Sequence, residues 1–128
     1  METFAIAEQG PQSGSGHQET SKSQIVDPAA EKKVVRIAVM AIRSKEKAIE
    51  EWQPTADYLT EHIAGHKFVV EPLKWEEMRE AVANGRADFI VTNPGMYVEF
   101  EAKYDVKRVA TLVNVRKGKR LTAFGVVL

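Results

Sequence analysis

Asn93, Pro94 and Gly95 follow directly on Phe89 to Thr92, an apolar run of strand type, so the chain passes from strand to helix with no intervening loop. Asn93 is a good N-cap and Pro94 a good first helical residue, so the N–H groups of Gly95, Met96 and Tyr97 are expected to point out along the positive end of that helix. Gly95 has no side chain to fence them off. Such a terminus suits a small anion or the anionic head of a larger ligand, each contact contributing on the order of 0.3–1 kcal/mol, or more when shielded from water. The triplet also serves as an economical strand-to-helix turn, and the three residues do not separate the two roles.

A second group of the same kind is "AIRSK", Ala41 to Lys45, again between an apolar run and a helical period. If the two strands are neighbours, Arg43, Ser44, Thr92, Asn93 and Gly95 line one crevice. Ser44 would offer a second helix start facing the same point, and Arg43 is either the countercharge or a solvated loop residue. Trp52 and Tyr97 are candidates to stack on a ligand, with core packing as the alternative, whereas Trp75 is read as the joint between a strand and its helix.

No catalytic or metal constellation is expected. His62 and His66 lie at i, i+4 across a helix end and His17 far away, without a third ligand at suitable spacing. There is no nucleophile elbow and no glycine-rich phosphate loop. Glu46–Glu50 and Glu76–Glu80 have the spacing of solvated helix faces. "RKGKR", Arg116 to Arg120, reads as a tight basic hairpin tip.

The elements that must position these residues follow from period changes. "VVRIAVMA" (34–41) is a strand covered on both faces. Ser44 caps a short helical turn to Trp52, Pro54 opens the main helix, and Gly65 ends it. "KFVVEPLKW" (67–75) is a strand with Pro72 tolerable near an edge or end. "WEEMREAVANGRA" is a helix with Met78 and Val82 inward and Asn84-Gly85 as its stop. "DFIVT" is a strand and "NPGMYVEFEAKYD" a helix carrying Tyr97, Phe100 and Tyr104 on one face. "VKRVATLVNV" and "LTAFGVVL" are two strands joined antiparallel through Gly118. The order β-α-β-α-β-α-β-β predicts a three-layer α/β fold, a mainly parallel sheet with helices on both faces. In such sheets ligands sit beyond the carboxyl ends of the strands, where crossovers leave in opposite directions.

Residues 1–30, rich in Gly, Ser, Gln and Pro, read as a flexible tail or linker, with "FAIA" (4–7) as a piece that packs on an exposed sheet edge. Residues 31–128 are one domain. Its 18 basic and 18 acidic residues cancel, so no nucleic-acid partner is expected. Cysteine is absent, which removes disulfide and thiolate chemistry and leaves the compartment open. No apolar run approaches the roughly 18–20 residues of a membrane span, and the start lacks secretory features. On these features the chain is either cytoplasmic or a piece cut free of such parts, and the apolar end "FGVVL" suits a chain cut before more fold.

The stretch "VRIAVMAIRSKEKAIEEWQPTADYLTEHI", the run to "MREAVANGRADFIVTNPGMYVEFEAKY" and the closing "TAFGVVL" together resemble the first lobe of the phosphate/phosphite/phosphonate-binding family of periplasmic substrate-binding proteins. The resemblance covers Val34 to Leu128, is carried by "WQPTADYL", "NGRADF" and "TNPGMYV" in combination, and is closest to the sensor-domain branch of membrane-bound histidine kinases. It implies one lobe of a two-lobed Venus-flytrap fold, a second lobe in the same parent chain, no cofactor, no catalysis in this domain and a periplasmic or extracytoplasmic location. It also implies ligand contacts at Ile42, Arg43 and Ser44, at Trp52, and at Thr92, Asn93, Gly95, Met96 and Tyr97. Transport members often present small hydroxyl residues where this chain has Asn-Pro-Gly, so phosphonate itself is not carried across. The expectation is a sensor lobe for a small anionic solute such as a phosphonate-like oxoanion, its parent a membrane-anchored histidine kinase. The alternatives are the solute-binding protein of an ABC importer and a lobe of a cofactor-biosynthesis enzyme of the same fold.

Overall fold

A computed structural model describes residues 3–6 and 31–122. The Gly/Ser-rich stretch, His17 and the "AFGVVL" part of the expected last strand lie outside these. The elements are β1 (Thr3–Ile6), β2 (Lys33–Met40), α1 (Lys45–His62), β3 (His66–Leu73), α2 (Trp75–Ala83), β4 (Phe89–Thr92), α3 (Pro94–Tyr104), β5 (Lys107–Thr111), β6 (Asn114–Arg116) and β7 (Lys119–Leu121).

Five strands form one sheet in the order β3-β2-β4-β1-β5, and β6 and β7 form a separate hairpin. β2 runs parallel to both β3 and β4, and β1 is antiparallel to both β4 and β5. The sheet is therefore mainly parallel, with helices on both faces, as the alternation predicts. Central placement explains the continuous apolar character of β2. Val35, Ile37 and Val39 pack on one face with Ala48 and Ala56 of α1, while Ala38 and Met40 pack on the other with Met78 and Ala81 of α2 and Met96 and Phe100 of α3. Burying a side chain such as Phe100 completely contributes about 1.5–3 kcal/mol. The β2–β4 register is pinned where the two strands begin to pair: Arg36 N–H donates to Asp88 Oδ2 at 2.8 Å, and Asp88 N–H donates to the Arg36 carbonyl at 3.0 Å.

Three local expectations are corrected. α1 is one continuous helix with Pro54 inside it, rather than a short turn followed by a main helix. Pro54 and Glu50 are exposed, so the Glu50 carbonyl that loses its N–H partner faces water instead of an apolar interior. "VKRVATLVNV" is broken at Leu112 and Val113 into β5 and β6, which belong to different sheets. The "RKGKR" turn itself supplies strand residues: Arg116 pairs with Lys119, and Lys117 and Gly118 take φ of 48° and 74° at the two corner positions. Pro72 does sit in β3 at the edge of the sheet, where its missing N–H costs no ladder bond on the open side.

The first strand departs most from expectation. "TFAI" does not lie along an open edge but inside the sheet, between β4 and β5, with Thr3 opposite Thr92 and Ile6 opposite Phe89. β4 and β5 are joined by α3 and leave room for one strand between them. β1 fills that room, and Ala5 is fully buried among Ile90, Met96, Phe100 and Val106.

Candidate ligand site at the carboxyl end of the sheet

The parallel pairing of β2 with β4 sets their carboxyl ends side by side, so the Ala41–Ser44 loop and the Asn93–Gly95 turn share one edge of the sheet. α1 leaves β2 toward one face and α3 leaves β4 toward the other, which makes this the point where neighbouring crossovers diverge. A contact ties the turn to the end of the neighbouring strand: Asn93 Nδ2 lies 3.7 Å from Sδ of Met40, the last residue of β2.

The tip of α3 is built by its own cap. Asn93 Oδ1 accepts from the Met96 N–H at 3.0 Å, and the Asn93 carbonyl accepts from the Tyr97 N–H at 3.0 Å. Two of the three amides expected to be open are thus already satisfied, and the Gly95 N–H is the one left outward. A Cβ at Gly95 would stand 3.3 Å from Asn93 Oδ1, so glycine keeps the cap and the approach to that amide clear together. Next to it Thr92 is 1% exposed, and its Oγ1 is the one buried side-chain polar atom among the described residues without a hydrogen-bond partner. An unpaired buried hydroxyl costs about 1–3 kcal/mol unless something supplies the bond.

The three helices differ at their amino ends. α1 carries Glu46 in its first turn, its carboxyl held below the usual range by the backbone N–H and then by the Ser44 hydroxyl. Ser44 Oγ also accepts from the Lys47 N–H at 3.1 Å, as an N-cap should. α2 carries Glu76 and Glu77, and the Glu77 carboxyl is lowered by the Lys74 N–H, which donates to it at 2.7 Å, and next by Lys45 at 2.9 Å. α3 has no acidic residue in its first turn. Its positive end is therefore the one that no carboxylate of its own helix offsets.

Of the residues singled out in the sequence, Ile42, Arg43, Ser44, Thr92, Asn93 and Gly95 come together here. Ile42 is 69% exposed and Arg43 is exposed. Met96 contributes only backbone to this edge, because its side chain is buried in the core. Trp52 lies two turns along α1, half-buried against the Val35–Val39 face. Tyr97 is half-buried against the opposite cluster, and its hydroxyl donates to Glu101 Oε1 at 2.6 Å, which, with burial, raises its pKa. Trp75 lies under the Arg79 guanidinium, 5.6 Å from the ring centre. His62 and His66 each engage a nearby backbone carbonyl through Nδ1. Sequence reasoning passed over Met40 and the Lys45–Glu77 pair, which ties the starts of α1 and α2 at this edge. Their partners lie 53 and 32 residues away, and no local pattern signals that. Among the described residues no group of three or more His, Asp or Glu is arranged to hold a metal ion, and no helix is long and apolar enough to cross a membrane.

A three-layer lobe with an open helix end at its crossover point is the architecture of a periplasmic-type solute-binding domain. Residues 37–127 match the family described as ABC transporter, phosphonate, periplasmic substrate-binding protein, and the chain belongs to that family. It is also 31% identical over 86 residues to the tetrathionate sensor histidine kinase TtrS of Salmonella typhimurium (strain LT2), an alignment covering 67% of this chain. The matched region spans 14% of that kinase's length. No solved structure matches the chain.

Proposed function

We propose that this domain is the first lobe of an extracytoplasmic sensor, that it takes a small anionic solute at the carboxyl end of β2 and β4, and that its parent is a membrane-anchored histidine kinase. One observation carries the anion reading: α3, alone among the helices of the described residues, has no carboxylate in its first turn, and the β2–β4 pairing puts its start on the same edge of the sheet as the loop that contains Arg43. The Gly95 N–H and the Thr92 hydroxyl would donate to the anion, Arg43 would supply the countercharge, and Ile42 and Trp52 would line the approach. Asn93 would hold the cap in register rather than bind. The likeness to the sensor kinase supports the signalling role. A ligand that touches this lobe and a second lobe stabilises only their closed arrangement, so its binding free energy becomes a shift in conformational population that an attached kinase can read.

The description of the family supports a second reading, solute capture for an ABC importer. The same site serves both, and the mass of the native protein separates them, since a fused kinase makes it several times larger.

The anion reading is tested by titrating the chain with inorganic phosphate or sulfate and following backbone amides by NMR. Shifts should centre on Arg43, Ser44 and Gly95 and disappear in Arg43→Ala. Shifts confined to Arg116–Arg120, or none at tens of millimolar anion, would overturn it.

A further inference from the structure

An ion pair crosses the carboxyl edge of the sheet. Lys45 opens α1, which packs on the Val35–Val39 face, and Glu77 lies in the first turn of α2, which packs on the opposite face. Lys45 Nζ donates to Glu77 Oε1 at 2.9 Å, so the bridge passes over the ends of β2 and β3, where the Ala41 N–H donates to the Leu73 carbonyl at 2.8 Å. The other carboxylate oxygen, Oε2, accepts from the Lys74 N–H at 2.7 Å. Two bonds from different directions fix the carboxylate, and through it the lysine. In the strand order β3-β2-β4 this bridge lies on the β3 flank of β2, whereas the start of α3 lies on the β4 flank.

The pairing decides how much positive charge reaches the candidate site. Along this edge the cations Arg43, Lys45 and Lys74 stand with the carboxylates Glu46, Glu76 and Glu77, and Lys47 is paired with Glu50 at 2.6 Å, so the formal charges balance. With Lys45 held by Glu77, an anion between the ends of β2 and β4 meets Arg43 and the positive start of α3, together roughly one and a half unit charges. A singly charged anion is matched by that sum. A second negative charge adds desolvation cost and finds no further cation on that flank.

We propose that Glu77 is the specificity-determining residue of this edge: by holding Lys45 across the ends of β2 and β3 it sets the site for singly charged oxoanions, an organic sulfonate for example, over doubly charged ones. The inference rests on the anion reading above and adds to it the charge of the solute.

Sulfate and methanesulfonate decide it, since they share a tetrahedral sulfur head and differ by one oxygen and hence by one charge. Each is titrated into the full chain at constant ionic strength while the Arg43 and Gly95 amides are followed by NMR. The parent should bind methanesulfonate more tightly than sulfate. Glu77→Gln keeps an oxygen for the Lys74 N–H but releases the Lys45 ammonium, and should shift the preference toward sulfate by roughly threefold to tenfold, the effect of one added charge across a few ångströms of partly wet crevice. Adding Lys45→Gln to Glu77→Gln should return the ratio to that of the parent, which a merely structural loss at Glu77 would not do. A parent that prefers sulfate, or a ratio that Glu77→Gln leaves unchanged while both anions still bind, would overturn the charge selection and leave the anion site standing. Absence of binding by both anions in parent and variants alike would overturn the two together.

Discussion

The two sides of the sheet are held by different means. On the β3-β2-β4 side, strands are paired in parallel and covered above and below, and Ile37, Val39, Ile90 and Val91 are each at most 1% exposed. On the far side β5 is exposed along most of its length, and the β6–β7 hairpin stands apart with Val113, Val115 and Leu121 open. The first side is a finished core. The second has strand pairing without cover from the other described residues. The candidate site lies on the finished side, where its loops are set on rigid strand ends.

That contrast is broken most directly by paired substitutions. Phe100→Ala, in the core under α3, should lower unfolding free energy by about 3–5 kcal/mol in urea titration, since transfer and cavity terms add. Val115→Ser, in the exposed hairpin, should change it by no more than about 0.5 kcal/mol. Comparable losses at both positions would mean the hairpin is already covered.

A smaller effect is expected at the site. Asn93→Ala removes the acceptor for the Met96 N–H and should cost about 1 kcal/mol by the same titration, with Asn93→Ser recovering most of it. If Asn93→Ala instead stabilises the domain, the cap is strained for a ligand's benefit.

The smallest effect is in the surface ties between α2 and α3. Arg79, and then Lys103, hold the Glu99 carboxyl down at about 2. Because its folded value lies below its unfolded value, the stabilisation is present in full above the usual glutamate range and is lost as pH falls from there through about 2. Thermal unfolding of Glu99→Gln should therefore lie slightly below that of the parent at neutral pH and converge with it near pH 2. A gap that persists unchanged in acid would assign the loss to packing rather than charge.

Legibility in the sequence followed the range of the interactions. The caps at Ser44 and Asn93 and the stop at Asn84-Gly85 were readable because each depends on a few adjacent residues. The alternation of strand and helix was readable for the same reason, and it carried the layer arrangement with it. Pro54 misled because its cost depends on whether the Glu50 carbonyl faces water, which is a property of the helix's placement. The break at Leu112–Val113 was hidden because apolar β-type residues continue across it, and only the change of sheet ends β5.

At the site, the residue types followed from the chain itself, but the adjacency of the two loops did not, since chain order leaves open whether β4 lies beside β2 or beside β3 and only the assembled order β3-β2-β4 settles it. Which amides stay open did not follow either, because Asn93 spends its side chain on Met96 and its carbonyl on Tyr97. Local hydrogen bonding and periodicity were thus enough to set the elements, their caps and the face each helix buries. The slot for Thr3–Ile6, the burial of the Thr92 hydroxyl and the Lys45–Glu77 tie arose from packing, because each joins residues far apart in the chain whose meeting depends on the whole sheet being assembled.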